Sequence, residues 1–534
     1  MKHLLFKLTL LASICFAIGA KAQEPESFKN PILSGFYPDP SICRVGNDYY
    51  LVHSSFEYFP GVPIFHSTDL VHWEQIGHVL DRPSQLNLPD GLEPSRGIFA
   101  PTLRHHNDTF YMVTTCVGCG GNFYVTASNP AGPWSDPIWV KDAPGIDPTL
   151  FWDDDGSAYY IGGHNLHGYR AWPGQNGAFI QKIDMATGKL LDQPVQMTFG
   201  HATNAVWGEA PHIYKINGRY MLMIAEGGTS IHHAITVFES DSLMGTYTPS
   251  LINPVLTHRH LGKDYPIAAV GHADLVQTQN KEWWAVLLAT RPVNQQVLLG
   301  RETFLVPLVF EDGWPVFNPG KGIVESEMPA PKLPPMKLNA KSAVDGFEAK
   351  NMAYEWNMLR TPTEDWYKLE QGKLHLLTRP QKLSENNQPS FWGRRIQHFT
   401  FEAFTKVEFN SNKTNEEAGF VALLDSKNQY RLVKSAKTIK LFKVEKGTEV
   451  LLAENAYKGN SVVLGLKADV FDYQFYFGSD INTLEAIGEK QDARVCGPSS
   501  GVDFTGPYVG MYTSSNGIKS KSKAMFDWFK YAYE

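Results

Sequence analysis

The sequence has no long apolar run beyond its first residues, no basic cluster and few cysteines. Five cysteines in 534 residues exclude a small scaffold held together by disulfides. Asp and Glu number 55 against 48 Lys and Arg, for a formal net charge of −7. An acidic chain without basic runs lacks the electrostatic footprint of a protein that binds nucleic acid or an anionic membrane. We therefore predict neither as a partner.

The first 22 residues have the pattern of a secretion signal. Lys2 and Lys7 flank the start of an apolar run at 8–18, and an Ala-Lys-Ala cleavage site follows at 20–22. The apolar run is shorter than the about 20 residues that a membrane-spanning helix needs. We expect 1–22 to be a signal peptide and the protein to be exported, to the periplasm or the extracellular space.

Two of the cysteines, Cys116 and Cys119, form a Cys-x-x-Cys pair. Such a pair can be a local disulfide or half of a metal site. A zinc site would need a second ligand pair at matching spacing, and the sequence offers none. We interpret the two residues as a structural pair or as free thiols, and predict no metal site.

One pattern occurs five times between Phe28 and about Gly320: an apolar or aromatic doublet directly after a polar turn. The doublets begin at Tyr49, Phe110, Tyr159, Tyr220 and Trp283. They start roughly 50 to 60 residues apart, with strand patterns and little helical periodicity between them, which is typical of propeller blades. We predict that 23–325 form a five-bladed β-propeller.

About ten residues before each doublet, one position of the repeat opens a strand. It is occupied by Asp39, Ala100, Asp147, Glu209 and His272. Pro stands within two residues of the first four, and Pro is tolerated at the first residue of a strand or on a sheet edge. The innermost strand of a blade is such an edge and faces the central channel. We therefore expect these five residues to meet at one end of the propeller axis.

A proline-rich segment follows the repeats, with prolines at 329, 331, 334 and 335. We interpret 326–342 as a linker. From 343 to 534 short strand patterns continue without the earlier repeat, as at 373–378 and 430–434. The predicted fold class is therefore all-β, a five-bladed β-propeller followed by a two-sheet β-sandwich.

Three carboxylates on one axis suit the hydrolysis of a glycosidic bond. That reaction uses an ionised carboxylate to activate water and a protonated carboxyl to donate to the departing oxygen. A third carboxylate raises the pKa of the acid by like-charge repulsion. Asp39, Asp147 and Glu209 supply these three groups. One alternative is a turn-forming role at each position, and another is a cation site, which usually draws on six or more oxygen ligands.

Four motifs resemble those of glycoside hydrolase family 43. They are Phe-Tyr-Pro-Asp-Pro-Ser at 36–41, Gly-Ile-Asp-Pro-Thr-Leu-Phe at 145–151, Trp-Gly-Glu-Ala-Pro-His at 207–212 and Gly-His-Ala-Asp at 271–274. The resemblance implies an inverting enzyme in which Asp39 is the general base, Glu209 the general acid and Asp147 the modulator of the acid's pKa. Residues 345–534 resemble the sandwich of the family's exo-acting members, which implies that the predicted β-sandwich is concanavalin-like.

The same resemblance implies which residues bind the terminal sugar. His272 resembles an axial histidine that orients a central water or ion, and Arg301 an arginine that hydrogen-bonds the sugar. Phe56 and Phe99 resemble the aromatic walls of the −1 subsite, although the family often has Trp in place of Phe99. No cofactor is implied as a requirement, and an ion such as calcium near His272 is compatible with the resemblance.

Two further residues complete the predicted sugar pocket. Thr229 is a candidate from its Glu-Gly-Gly-Thr context, and Phe504 resembles a phenylalanine with which a loop of the sandwich closes the pocket. The expected substrate is an oligosaccharide or polysaccharide that carries terminal α-L-arabinofuranosyl residues, as on hemicellulose side chains. The alternatives are a β-D-xylosidase or a bifunctional enzyme and, more remotely, a non-catalytic carbohydrate-binding propeller.

Overall fold

The computed structural model describes residues 27–499 and 501–533, so the predicted signal peptide lies outside the described residues. In this part of the chain the regular elements are β-strands, apart from one 3-10 helix at Ala493–Cys496. Among the described helices there is none long and apolar enough to cross a membrane. Cys116 and Cys119 are joined in a disulfide, which selects the structural pair among the alternatives.

Five consecutive antiparallel sheets, here called sheets 1 to 5, occupy 41–317. Sheets 1 and 2 consist of Ser41–Val45, Asp48–Val52, Gly61–Ser67 and Glu74–Leu80, and of Gly97–Ile98, Thr102–His106, Thr109–Val117, Gly121–Ala127 and Ile138–Trp139. Sheet 3 consists of Ile146–Trp152, Ala158–Gly163, Ala178–Asp184, Lys189–Leu190 and Val195–Thr198. Sheets 4 and 5 consist of Glu209–Ile216, Arg219–Glu226, Ala234–Ser240, Thr248–Pro249 and Leu256–Thr257, and of Ala268–Gln277, Trp283–Thr290, Glu302–Glu311 and Trp314–Phe317.

The inner strands of these sheets meet around one axis. Ser41–Val45 contacts Thr102–His106, which contacts Ile146–Trp152, and that strand contacts Glu209–Ile216. The inner strand of sheet 5, Ala268–Gln277, packs against sheet 4 and returns to contact Ser41–Val45. The ring is therefore closed, which confirms the predicted propeller.

The two ends of the ring are tied together by the chain itself. The strand Ser27–Lys29 pairs antiparallel with Glu327–Pro329. The side chain of Asn30 donates to the carbonyl of Leu305 at 3.0 Å and accepts from its N–H at 2.9 Å. These bonds hold the start of the described chain against the last sheet.

The second half of the chain forms two packed antiparallel sheets, which confirms the predicted sandwich. One contains Val344–Asp345, Tyr367–Glu370, Lys373–Leu377, Thr400–Glu408, Ser461–Asp469, Asp472–Gly478, Glu485–Ala486, Gln491–Asp492 and Lys523–Tyr533. The other contains Ser390–Arg395, Glu417–Asp425, Asn428–Ser435, Thr438–Glu445, Thr448–Ala456 and Tyr508–Ser514. Alternate apolar residues of both sheets, such as Phe420 and Phe529, fill the space between them.

The sandwich is joined to the propeller on both sides of the segment that contains Asp39 and the first inner strand. Its short strand Met358–Leu359 pairs with Tyr58–Phe59 of the propeller. The ring of Tyr58 stacks on that of Tyr508 with centroids 4.1 Å apart. From the sandwich, Arg395 donates through Nε to the carbonyl of Phe36 at 2.7 Å. The second domain therefore holds the propeller segments that flank Asp39 in the sequence.

Candidate active site

Local backbone distortion positions the carboxylates at the end of the axis. Asp39, Asp147 and His272 have φ values of 53°, 54° and 51°, in the left-handed region that residues other than glycine seldom occupy. Strand pairing is shifted within Ile146–Thr149 and within Glu209–His212. Such irregularities redirect side chains and are common beside active sites. They turn these side chains toward a cavity on the axis.

All nine predicted site residues line that one cavity. They are Asp39, Phe56, Phe99, Asp147, Glu209, Thr229, His272, Arg301 and Phe504, and Ala100 and Ile146 complete the lining. The cavity has a volume of about 80 Å³. This is far below the roughly 300–1,000 Å³ of pockets for drug-sized ligands. The cavity therefore suits one small ring and not an extended chain.

Asp39 is held in its ionised form. Arg301 donates through Nη1 to one carboxylate oxygen at 2.6 Å, and the hydroxyl of Ser54 donates to the other. Burial alone would raise the pKa of Asp39, but the charge of Arg301, then that of His272 and the bond from Ser54 hold it below its ordinary value. An ionised, oriented carboxylate can accept a proton from water. Sequence reasoning missed Ser54, which stands two residues before Phe56.

The sequence predicts Arg301 only as a sugar ligand, whereas in the structure it also bonds to groups of the protein. Besides the bond to Asp39, it donates through Nη2 to the carbonyl of Phe504 at 3.1 Å. Its Nε is buried and has no hydrogen-bond partner among the described residues. A hydroxyl of a sugar in the cavity would satisfy this donor, because a buried donor left unpaired is costly.

Asp147 and Glu209 are biased toward their protonated forms. Burial raises the pKa of Asp147 well above its ordinary value, and the negative charges of Glu209 and then Asp39 add to this. The pKa of Glu209 is raised by burial and next by the charge of Asp39. Ionisation of either carboxyl of this pair disfavours ionisation of the other. The pair therefore retains a proton at a pH where an isolated carboxyl has lost it. The site thus holds a carboxylate and a proton donor together.

The shared proton leads to a prediction for Asp147→Asn. In the native pair, loss of the last proton leaves two adjacent negative charges. In the variant it leaves only the charge of Glu209, so Glu209 should ionise more easily. We expect the basic limb of the pH profile of kcat/KM to move to lower pH by about one unit. A profile of the variant that keeps the limb at its native pH would contradict the coupling.

His272 lies inside the strand Ala268–Gln277, whereas the sequence predicted it at the start of a strand. Strand pairing is shifted on both sides of Gly271. A Cβ at Gly271 would lie 2.5 Å from the ring of His233, which sequence reasoning missed. Burial lowers the pKa of His233 to about 3, and its neutral ring donates through Nδ1 to the carbonyl of Ala269 at 3.1 Å. This packing supports the bulge that directs His272 toward Asp39.

Three phenylalanines enclose the cavity opposite the carboxylates. The ring centroids of Phe56 and Phe99 are 5.2 Å apart, and that of Phe504 lies 6.0 Å from each. The guanidinium of Arg301 lies 5.7 Å from the Phe56 ring and 5.5 Å from the Phe504 ring. Phe504 comes from the sandwich, so the second domain supplies one wall of the cavity.

The loop that carries Phe504 is attached to the propeller through Ser95, another residue that the sequence did not single out. The N–H of Phe504 donates to the Ser95 hydroxyl at 2.9 Å, and the N–H of Ser95 donates to the buried Glu57 carboxylate at 3.1 Å. A Cβ at Gly506 would lie 2.7 Å from the Cβ of Phe36, so this glycine allows the loop to approach closely. These contacts attach the wall formed by Phe504 to the propeller.

We expect Phe504→Ala to lower kcat/KM for terminal pentosides about tenfold, because the variant loses one aromatic face of the cavity. Ser95→Ala should act in the same direction but more weakly, since it removes only the attachment of the loop. Val502→Ala is the matched control, because Val502 is exposed on the same loop. Native kinetics in Phe504→Ala would contradict the enclosing role.

Comparison with known proteins agrees with this geometry. Residues 28–315 match the family described as Glycosyl hydrolases family 43. Residues 344–532 match the family described as Beta xylosidase C-terminal Concanavalin A-like domain. The first match covers the sheets around the axis, and the second covers the sandwich.

Relatives match over nearly their whole length. A protein of Butyrivibrio fibrisolvens named Xylosidase/arabinosidase is 43% identical over 94% of this chain and 98% of its own. The non-reducing end alpha-L-arabinofuranosidase BoGH43B of Bacteroides ovatus is 38% identical over 99% of each chain. The solved structure titled Bacteroides ovatus Xyloglucan PUL GH43B superposes with a TM-score of 0.88 over 95% of this chain and 100% of its own, at 38% identity. A xylan beta-1,4-xylosidase from Bacillus halodurans reaches 0.88 at 33% identity, with the same coverage of 95% and 100%. With its carboxylates, its enclosed cavity and these matches along the chain, the protein belongs to glycosyl hydrolase family 43 and is a glycosidase.

Proposed function

We propose that the enzyme releases terminal α-L-arabinofuranosyl residues from hemicellulose side chains or oligosaccharides, with inversion at the anomeric carbon. The observation that carries this proposal is the arrangement of three carboxyl groups around a cavity for a single ring. The pKa of Asp39 is lowered, whereas those of Asp147 and Glu209 are raised. The name of the Bacteroides ovatus relative, a non-reducing end arabinofuranosidase, supports the choice of sugar. Exo action follows from the cavity, which is enclosed by Phe504 and has room for one terminal residue.

The residues divide the hydrolysis between them. Asp39 accepts a proton from a water molecule, whose oxygen forms a bond to the anomeric carbon. The bond between that carbon and the leaving oxygen breaks, and Glu209 donates its proton to that oxygen. Each turnover thus consumes one water, and the proton gained by Asp39 balances the one lost by Glu209. Asp147 keeps Glu209 protonated until the leaving group needs the proton.

A β-D-xylosidase is the second candidate function. The names of the Butyrivibrio and Bacillus halodurans relatives favour it, since they include xylosidase. Xylopyranose and arabinofuranose are both pentoses with similar hydroxyl groups, so the same cavity suits either ring. An enzyme with both activities would use the same carboxylates.

We further propose that the enzyme acts outside the cytoplasm and needs no cofactor. The first 22 residues support export by their secretion-signal pattern. In 27–499 and 501–533 no three His, Cys, Asp or Glu side chains are grouped as a metal site would require. The chemistry above proceeds with carboxyl groups and water alone. Dialysis against a chelator should therefore leave kcat/KM unchanged.

Paired aryl substrates test the proposed function. The enzyme should hydrolyse 4-nitrophenyl α-L-arabinofuranoside with a higher kcat/KM than 4-nitrophenyl β-D-xylopyranoside. Proton NMR of the first sugar formed should show the inverted anomer. A reversed preference would select the xylosidase, retention would refute the role of Asp39 as a base, and inactivity on both substrates would refute the proposed substrate class.

A further inference from the structure

Beside the enclosed cavity, one large aromatic ring remains open to solvent. Trp207 stands two residues before Glu209, and 47% of its surface is exposed. Most tryptophans of folded proteins are largely buried, because their apolar surface is large. An open indole next to the proton donor therefore calls for an explanation.

The ring of Trp207 packs against a chain segment that contributes to the cavity lining. A Cβ at Gly228 would lie 3.2 Å from Cδ1 of Trp207, and the residue after Gly228 is Thr229, which lines the cavity. On the far side of Thr229, a Cβ at Gly501 of the sandwich loop would lie 3.3 Å from Cβ of Ser230. The segment 228–230 thus lies against the indole at one end and against the sandwich loop at the other, with Thr229 between them.

The ring of Trp207 is fixed in place by its backbone. The backbone N–H of Trp207 donates to the carbonyl of Gly174 at 2.8 Å, and the φ of Trp207, 57°, lies in the left-handed region. A Cβ at Gly174 would lie 3.3 Å from Cε2 of the indole. Trp172 donates through Nε1 to the carbonyl of Ala205 at 2.7 Å and joins the two loops. Two glycines therefore support the indole while part of it faces solvent, in a conformation that the backbone fixes in advance.

A charged group stands over this aromatic surface. The guanidinium carbon of Arg170, which is exposed, lies 5.9 Å from the centroid of the Trp207 ring. The C–H-bearing face of a sugar can stack on an indole, and a guanidinium offers several N–H donors to hydroxyl groups. The pair combines an apolar face with polar donors, which is the composition of a binding site for a sugar ring.

We propose that Trp207 and Arg170 form the subsite for the first sugar ring of the leaving group. This inference rests on the proposed function, because a leaving group exists only if the terminal sugar occupies the cavity. Glu209 lines the cavity two residues after Trp207, so the proposed subsite places the glycosidic oxygen beside its carboxyl group. The subsite selects substrates in which the terminal pentose is attached to another sugar rather than to a small alcohol.

The test compares a leaving group that has a sugar ring with one that has none. The substrates are an arabinofuranosyl xylo-oligosaccharide and methyl α-L-arabinofuranoside, or xylobiose and methyl β-D-xyloside if the enzyme prefers xylosides. Trp207→Ala should lower kcat/KM for the oligosaccharide about tenfold, mainly through KM, and affect the methyl glycoside much less. Trp207→Phe should recover most of the loss, and Arg170→Ala should reproduce part of it.

Damage to Glu209 would give a different result. Methanol is at least as poor a leaving group as a sugar hydroxyl, so a weakened acid would harm the methyl glycoside at least as much. Equal losses on both substrates in Trp207→Ala, or no loss on either, would overturn the subsite. The matched control is Trp139→Ala, because Trp139 is also exposed and packs on a glycine, Gly120, but lies outside the cavity lining. Inactivity of the native enzyme on both substrates would count against the proposed function itself.

Discussion

Asp39→Asn is expected to lower kcat about a thousandfold on every glycoside that the enzyme accepts. The amide keeps the size of the side chain and can still contact Ser54 and Arg301, but it does not accept a proton from water. Water must be activated whatever the leaving group is, so aryl and natural glycosides should lose turnover together. Steady-state kinetics on one substrate of each class measure this directly.

Two controls separate loss of the base from loss of structure. Asp48→Asn alters an exposed carboxylate of the same sheet, which pairs with His66 on the surface, and should leave kcat unchanged. Asp39→Asn also removes the negative charge that pairs with the buried Arg301, so its thermal unfolding should be measured beside its activity. If folded Asp39→Asn protein retained a tenth or more of the native kcat, Asp39 would not be the base.

The convergence of the carboxylates could be predicted because a propeller repeats one position. Asp39, Asp147 and Glu209 stand at similar distances before a turn and an aromatic doublet, and equivalent positions in a repeat meet on the axis. The inference needed only the period and the fact that an inner strand is an edge. The same reasoning placed His272 at the start of a strand, and there it failed, because two irregularities beside Gly271 move this residue to mid-strand.

Contacts between distant parts of the chain could not be predicted in this way. Arg301 bonds to Asp39 across 262 residues, and Phe504 bonds to Ser95 across 409. Arg301, Ser95 and Phe504 show no periodic signal, since these contacts depend on how the loops between strands fold and on how the sandwich docks. Ser95 in particular stands in a loop with a φ of 59°, and only the folded chain reveals what its hydroxyl contacts.

Glu209→Gln should separate substrates by the quality of their leaving group. The leaving group of a natural oligosaccharide is a sugar hydroxyl, which is a poorly stabilised alkoxide unless Glu209 protonates it. We therefore expect kcat on such substrates to fall about a thousandfold or more. Aryl glycosides with acidic phenols leave with little protonation, so we expect a loss of about tenfold on them. Plotting log kcat against the pKa of the leaving phenol should give a steeper slope in the variant than in the native enzyme.

The pH profile provides a second and independent readout of the same variant. Burial and the charge of Asp39 raise the pKa of Glu209, so the native enzyme should lose activity as rising pH removes the proton. Gln does not titrate, so the residual activity of the variant on an aryl glycoside should no longer show this basic limb. Glu239→Gln is the control, because this carboxylate of sheet 4 pairs with Arg219 and lies outside the cavity lining. An unchanged limb in Glu209→Gln, or equal losses on aryl and natural substrates, would assign the acid to another group, and Asp147, the other carboxyl whose pKa is raised, would be the next to test.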